Sequence, residues 1–600
     1  MHHYQLDKPD NLVDFLEETL KRYPDSNMIG TKNAAGDYVW ITYGEFGRRV
    51  DNLRAGLASL GVKRGDAVGI IANNRTEWVI CAYAAFGLGA RWVPMYEAEL
   101  TSVWKYIVAD SGLKVLFCSK PQILEKVKDF PKDIKTLEKL ILVEGTGPGS
   151  MEELERIGSA KPVASIRPQP DDVACLIYTS GTTGDPKGVL LTHGNLTSNT
   201  NAGLKIYPEI TREDTILNIL PWAHSYALTA ELNAAIKLGG KIAIMESIGT
   251  LAQDMLKVKP DFLVVVPRVF NKIYDGLFAK MNAEKGLTKK LFFMAVESVK
   301  KKRELAEQGK SDALLNLKCA ILDKLVFSKI RERFGGRLRG AMSGSAAMNP
   351  DIAKFFFDIG IPVYDCYGMT ETSPAIAMNC PANYKLGSVG RAIDKVKIVI
   401  DKSVVEEGAL DGEIVCYGPN VMQGYHNKPE ATAAVMTADG GIRTGDRGRI
   451  DEDGYLFITG RIKEQYKLEN GKFVFPSAME EDIRLIPYIE NAMVYGENRP
   501  YNICLVVPDF HVLGTYAKQH GLPQDPQALV ETKDVQDLIM REIENTLKGK
   551  YGGYEIPKKI VLLSENFSVD DGTLTQTLKV KRRVVLKKNQ DIIDAAYQAK

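Results

Sequence analysis

The chain has 600 residues, 45% apolar and 26% charged, with 77 Lys and Arg against 76 Asp and Glu. Such ordinary usage excludes wholesale disorder, and a net charge of +1 gives no whole-chain reason to expect nucleic acid or an anionic surface as the main partner. At about 150 residues per domain the length allows roughly four units, fewer where large α/β domains are used.

The eight cysteines (81, 118, 175, 319, 366, 380, 416 and 504) are scattered, with no C-x-x-C pair and no Cys/His cluster. Neither a zinc site nor a disulfide framework is expected, and a reducing compartment fits best. The opening MHHYQLDKPDN carries no apolar signal-peptide core. The longest plainly apolar run, Trp78 to Ala90, has 13 residues, against the roughly 18–20 that a spanning helix needs. The expectation is a cytoplasmic protein.

In chain order, Ala67–Ala72 reads as a buried strand, Trp78–Gly89 as a helix, Trp92–Tyr96 as a strand and Leu100–Asp110 as a helix. The strand signal returns at Val115–Cys118, Leu140–Val143, Val173–Tyr178, Thr215–Leu220, Lys241–Met245 and Phe262–Pro267, with helix-length segments between most of them. This alternation predicts an α/β fold of parallel sheets covered by helices. After about 385 the texture changes: Val396–Ile400, Gly412–Tyr417 and Tyr455–Thr459 are short strands between Gly, Asp and Pro turns, which predicts a small β-rich subdomain over about 385–460. Beyond it, helices (Ser477–Leu485, Lys533–Leu547) mix with strands (Ala492–Tyr495, Ile503–Pro508, Lys559–Leu563) in a separate α+β unit. The expected division is 1–462 and 463–600.

The most informative stretch is Tyr178-Thr-Ser-Gly-Thr-Thr-Gly-Asp-Pro-Lys-Gly188. Closely spaced glycines interleaved with hydroxyl side chains let a backbone curl and aim N–H groups at phosphate oxygens, and Lys187 adds positive charge. A nucleoside-triphosphatase P-loop is excluded by register, because that loop needs Gly-Lys-Ser/Thr running into a helix, whereas Lys187 follows proline and leads into Gly188-Val189. Further along lie Ser343-Gly-Ser-Ala-Ala347, Tyr364-Asp-Cys-Tyr-Gly-Met-Thr-Glu371, Arg443-Thr-Gly-Asp446, Thr459-Gly-Arg461 and Leu574-Thr-Gln-Thr-Leu-Lys579.

With these motifs in this order, the sequence resembles the AMP-forming adenylating superfamily of acyl- and aryl-CoA synthetases, luciferases and nonribosomal-peptide adenylation domains. The resemblance covers nearly the whole chain. It implies activation of a carboxylic acid by ATP, with Thr179, Ser180, Gly181, Thr182, Thr183, Gly184 and Lys187 around the phosphates. It assigns Glu371, helped by the Thr179 hydroxyl, to Mg2+. Tyr367 would lie against adenine with the Gly344, Ser345 and Ala346 backbone along its edge, beside Gly368 and Thr370. Asp446 would accept from the ribose hydroxyls, Arg461 would reach the ribose or phosphate side, and Lys579 would bridge the carboxylate and the α-phosphate. Each of these taken alone is ordinary turn or surface chemistry. Lys581 competes with Lys579 for the last role, since the family usually writes Ser-Gly-Lys there and this chain has Thr577-Leu-Lys579; spacing to Arg582-Arg583 favours Lys579.

The resemblance also implies a second step with coenzyme A: a swing of the C-terminal unit about Lys463, passage of pantetheine beside Gly471, and positioning of the thiol by His224. Val265–Tyr274, Leu386–Gly390 and Arg461–Lys467 look like the long-chain fatty-acid branch; a medium-chain or aryl-acid CoA ligase, or a fatty-acyl-AMP ligase serving a carrier protein, are the alternatives. A non-catalytic lipid-binding protein on the same fold is disfavoured by the intact Glu371, Asp446, Arg461 and Lys579. Asp185 in the phosphate loop departs from the pattern. Between Lys280 and Arg303 there are eight Lys/Arg and two acids around Leu291-Phe-Phe-Met-Ala295, which reads as either a solvated helix face or a peripheral membrane contact. The basic run Lys579–Lys588 has no stacking aromatics beside it, and nucleic acid is rejected as a partner. Oligomeric state is not encoded in any of these features.

Overall fold

The computed structural model describes residues 11–179, 186–346, 348–405, 408–462, 464–568, 570–575 and 579–598. Ser180, Gly181, Thr182, Thr183, Gly184, Asp185 and Lys463 lie outside the described residues.

Two large sheets organise the N-terminal part. The seven-stranded sheet runs, edge to edge, Gly424–Tyr425, Lys187–Thr192, Val173–Thr179, Arg91–Met95, Ala67–Ile71, Leu113–Cys118 and Lys139–Leu142. The nine-stranded sheet has Gly340–Ser343, Phe262–Val265, Thr215–Asn218 and Lys241–Ile244 in parallel at its centre. Both sheets are mixed rather than purely parallel: the nine-stranded sheet has antiparallel strands at both edges and the seven-stranded sheet at the Gly424–Tyr425 side. The reason at the phosphate loop is length: Thr179 pairs with Lys187, and the residues between them are too few for the crossover of a dozen or more that parallel strands need. The two strands therefore form a hairpin.

Helices packed between the sheets supply the main core. Thr76–Phe86 has no charged stripe beyond its first turn and is buried on all sides, as a helix apolar around its circumference must be. Trp78 on this helix meets Trp92 edge-on at 5.3 Å and Trp222 at 6.0 Å, so one side chain ties a strand of one sheet to the turn before the cavity helix described below. Helix Tyr43–Ser59 starts on a capping box in which Thr42 and Glu45 exchange hydrogen bonds. All eight cysteines are buried free thiols, small apolar residues in effect.

A four-stranded antiparallel sheet follows, Lys397–Asp401, Gly412–Tyr417, Ile442–Ile450 and Leu456–Arg461. The C-terminal part has its own core around a three-stranded sheet, Ile489–Tyr495, Ile503–Pro508 and Lys559–Leu562, covered by helices that include Lys533–Leu547. The whole is an α/β molecule with a large N-terminal domain of mixed sheets and a smaller C-terminal domain.

Candidate active site

A cavity of about 1160 Å³ opens at the C-terminal ends of the nine-stranded sheet and is walled by both parts of the chain. Open α/β sheets place ligands at that edge because the loops leaving parallel strands splay there. Thr179, Lys187, Gly344, Ser345, Tyr367, Gly368, Thr370, Glu371, Asp446, Arg461, Lys579 and His224 all line it. Ala346 is exposed beside it but does not line it. Gly471 sits in an exposed turn off the cavity wall, with φ of +79° and no atom within 4 Å of where a Cβ would be.

Glu371 belongs to the single 3-10 turn Thr370–Thr372 and is buried. The Tyr425 hydroxyl donates to its Oε1 at 2.8 Å, and the Lys187 ammonium lies over the Tyr425 ring, 4.9 Å from its centre. Cation, aromatic face and carboxylate are thus coupled in a row. Burial, with the Glu371 charge beside it, raises the Tyr425 pKa and keeps the hydroxyl a donor. Tyr425 was not among the residues singled out from sequence. It stands on a two-residue strand paired with Val189 and Leu190, and no local motif marks it.

Asp446 and Arg461 face each other across adjacent strands. Arg461 Nε donates to Asp446 Oδ1 at 2.7 Å, and the Tyr367 hydroxyl donates to Oδ2 at 2.7 Å. A carboxylate has about four acceptor positions, so this one is oriented by two protein donors with capacity left for a ligand. The Asp446 charge, opposed by desolvation, raises the Arg461 pKa further. Gly344 closes the turn after Gly340–Ser343, where a Cβ would come within 2.8 Å of the Cys366 sulfur and 3.1 Å of the Tyr226 ring. Ser345 follows in the left-handed region, with φ of 72°.

Lys579 is carried on a short loop pinned at both ends. Leu574 bridges Val580, the Thr575 N–H donates to the Lys579 carbonyl at 2.8 Å, and the Lys579 N–H donates to Thr575 Oγ1 at 3.0 Å. The side chain is exposed, but into the cavity. Desolvation and the nearby Arg461 charge lower its pKa, while Asp446, Glu464 and Glu481 oppose the shift. Lys581 also lines the cavity, but it is the Lys579 ammonium whose field reaches Arg461, Asp446 and His224.

His224 caps the short helix Ser225–Ala227, its Nδ1 accepting from the Tyr226 N–H at 3.2 Å. The helix passes through a π turn, Leu228–Asn233, into Ala234–Leu238, a widening frequent at functional sites. Tyr226, Ala230, Ala234 and Leu238 present a stripe to the cavity at intervals of four. Twelve helical residues span about 18 Å. Gly203, Leu204 and Tyr207 also line the cavity, as do Thr211, Asp214 and Lys241, near the N-terminal edge of the strands. The two small side chains at 230 and 234 leave the passage wide. On the back of the same helix Glu231 is fully buried: its Oε1 accepts from Asn218 Nδ2 at 2.5 Å and Trp222 Nε1 at 2.9 Å, while Oε2 has no partner among the described residues. Burial lifts its pKa to about 8.

Residues 16–426 match the AMP-binding enzyme family and residues 463–600 match the AMP-binding enzyme C-terminal domain. The chain belongs to that family. It is 32% identical to long-chain-fatty-acid–CoA ligase FadD15 of Mycobacterium tuberculosis, over 94% of this chain and 93% of that protein. With the peroxisomal long chain acyl-CoA synthetase 7 of Arabidopsis thaliana the identity is 30%, over 96% and 84%. Among solved structures, the adenylation domain of a carboxylate reductase from Mycobacterium chelonae superposes with a TM-score of 0.79 at 22% identity, covering 99% of this chain and 92% of that one. The anthranilate CoA ligase AuaEII, in complex with anthranoyl-AMP, gives 0.73 at 18% identity, covering 96% and 97%. These last two share the fold.

Proposed function

We propose that the protein is an ATP-dependent, AMP-forming fatty-acid–CoA ligase acting on long-chain acids. The observation that carries this reading is a single cavity that brings Glu371, Asp446, Arg461 and Lys579 together with the row Tyr226, Ala230, Ala234 and Leu238. Each buried methylene contributes roughly 0.8 kcal/mol, so a passage of this kind favours long tails over short ones.

In the first step a carboxylate oxygen attacks the α-phosphorus and pyrophosphate leaves, giving acyl-AMP. Two anions must approach, so cations and fixed donors are needed where charge builds. Lys579 supplies the cation between the carboxylate and the α-phosphate. Asp446, oriented by Tyr367 and Arg461, takes the ribose hydroxyls, and the left-handed turn at Ser345 lies along the purine. Lys187 stands on the phosphate side. Among the described residues no cluster of three His, Cys, Asp or Glu could hold a metal by itself; the lone buried Glu371 instead fits Mg2+, which takes one or two carboxylates and completes its shell from substrate phosphates and water. Glu371, with the Thr179 hydroxyl, would hold the ion, whose role is to offset phosphate charge. In the second step the sulfur of coenzyme A attacks the acyl carbonyl and AMP leaves. His224, whose Nδ1 already accepts from the Tyr226 N–H and whose Nε2 therefore carries the proton of the neutral ring, helps position the thiol, and the thiol proton passes to water. We assign 1–462 to the adenylating domain and 463–600 to a unit that turns about Lys463 between steps, with Gly471 beside the entering pantetheine.

The test is acid-dependent pyrophosphate release across acetate, octanoate, palmitate, stearate and benzoate, with and without CoA. Stoichiometric palmitoyl-CoA with a preference for long tails is expected. Acyl-AMP accumulating despite CoA would assign the enzyme to the carrier-protein-dependent ligases, and a benzoate preference would overturn the long-chain reading.

A further inference from the structure

Helix Ala313–Leu322 runs through a π turn, Asp323–Phe327, into helix Ser328–Arg333. Its inner side is ordinary core: Cys319, Leu322, Phe327 and Ile330 are buried. Its outer side is not ordinary surface. Leu314 is 80% exposed, Leu317 61%, Ile321 53% and Leu325 49%. Steps of three, four and four residues put all four on one stripe. Single exposed leucines need no explanation, but an aligned row of them does. The preceding helix, Leu287–Glu307, packs alongside and adds Leu287, 71% exposed, and Met294, 40% exposed. The apolar stretch of that helix is mostly turned inward, with Phe292 and Ala295 buried, so the outward-facing apolar stripe lies largely beyond 280–303.

The same surface is basic. From Leu287 to Arg333 there are 12 Lys/Arg and 6 Asp/Glu, in a chain whose net charge is only +1. Lys310, Lys318 and Lys324 are exposed beside the stripe. Lys302 on the neighbouring helix is near enough to act on both Cys319 and Asp323. Arg331 is taken by Asp323 and Arg303 by Asp358, whereas none of Lys300, Lys301, Lys302, Lys318, Lys324 and Lys329 forms an ion pair among the described residues. None of these side chains lines the active-site cavity.

We infer that this face docks on an anionic lipid bilayer, with the Leu314–Leu325 stripe entering the boundary between headgroups and acyl chains and the lysines meeting lipid phosphates. A row of apolar residues flanked by unpaired cations is the pattern such an interface rewards twice, by burial and by charge. A second copy of the chain fits worse, since a two-fold contact sets each patch against itself and opposes two identical sets of lysines. The inference rests on the surface alone and stands apart from the assignment of the acid.

The experiment is co-sedimentation of the full chain with phosphatidylcholine vesicles, with and without about one-third phosphatidylglycerol, at low and high salt. Binding at least about tenfold stronger to the anionic vesicles is expected, weakening with salt. Leu317→Glu with Ile321→Glu, Leu317→Ser with Ile321→Ser, and Lys318→Glu with Lys324→Glu should each cut it by about tenfold or more, with unchanged circular dichroism and unchanged turnover of an acid supplied in solution. The serine pair separates lost burial from added charge. Equal binding by wild type and all three variants, or binding to neither vesicle, overturns the inference. So does concentration-dependent dimerisation, or capture by an acidic protein, that the same substitutions abolish while vesicle binding is absent.

Discussion

The Lys579 ammonium and the His224 imidazole face the same cavity from different parts of the chain: burial, reinforced by the lysine's charge, holds His224 neutral with a pKa of about 4. The cation proposed to assist the attack on phosphorus thus also keeps a proton off His224.

Replacing that cation separates the two half-reactions. Lys579→Ala should lower acid-dependent pyrophosphate release by about 100-fold or more, the scale of losing one electrostatic stabiliser of the transition state. Thioester formation from supplied palmitoyl-AMP and CoA should fall far less. Single-turnover measurements of each step check this; equal losses in both would remove Lys579 from the adenylation step.

Ala230 lines the cavity proposed to take the acyl tail, so Ala230→Phe should block it. With palmitate, kcat/KM should fall by about 100-fold, the loss of burying about three or four methylenes at roughly 0.8 kcal/mol each. Butyrate should be turned over about as before. A chain-length profile unchanged by the substitution would place the tail elsewhere.

Glu231 gives a pH dependence at the alkaline end. Its pKa is about 8 in the folded protein and about 4.3 in an unfolded chain. The native state therefore holds a proton that the unfolded state releases, and the stability this contributes is lost as pH rises from about 4.3 to about 8. Glu231→Gln keeps the acceptor for Asn218 and Trp222 without that loss. Its melting temperature should exceed that of wild type at pH 8, by a free energy on the order of 2 kcal/mol, and the gap should close near pH 5.

His193 works in the opposite direction. It is 1% exposed, accepts from the Leu12 N–H through Nδ1 at 3.3 Å, and has a pKa lowered by burial to about 4. The unfolded chain takes up this proton near pH 6.5. Stability is complete above that value and declines as pH falls through the window down to about 4. His193→Asn retains an acceptor but leaves unfilled space. It should be less stable than wild type at pH 7, by about 1–2 kcal/mol, and should lose less between pH 6.5 and 4. Thermal melts across that range compare the two slopes.

Periodicity alone located most central strands, because parallel strands buried on both faces are continuous apolar runs such as Ala67–Ile71. Pairing direction was less legible. That Val173–Thr179 and Lys187–Thr192 form a hairpin follows from a count of intervening residues, while the alternation of strands and helices around them suggests only parallel pairing. The candidate site was readable as far as its residues lie in compact motifs: Glu371, Asp446, Arg461 and Lys579 do. Tyr425, Glu231 and the stripe from Tyr226 to Leu238 do not, since each acquires its meaning from partners on other elements or from a π turn that shifts helical spacing. The exposed row on Ala313–Leu322 was hidden for another reason. Apolar residues on both sides of a helix look like core until the fold shows which side is covered.

Since the cavity is lined both by Ser345, after the C-terminal end of Gly340–Ser343, and by Lys241, at the N-terminal end of its strand, the head and tail of the proposed acid would be inspected by separate sets of residues. On that reading, drift around Thr211 and Lys241 would retune the diet of the enzyme while the apparatus proposed to break the nucleotide is left alone. Diversification of this kind asks nothing of the catalytic end.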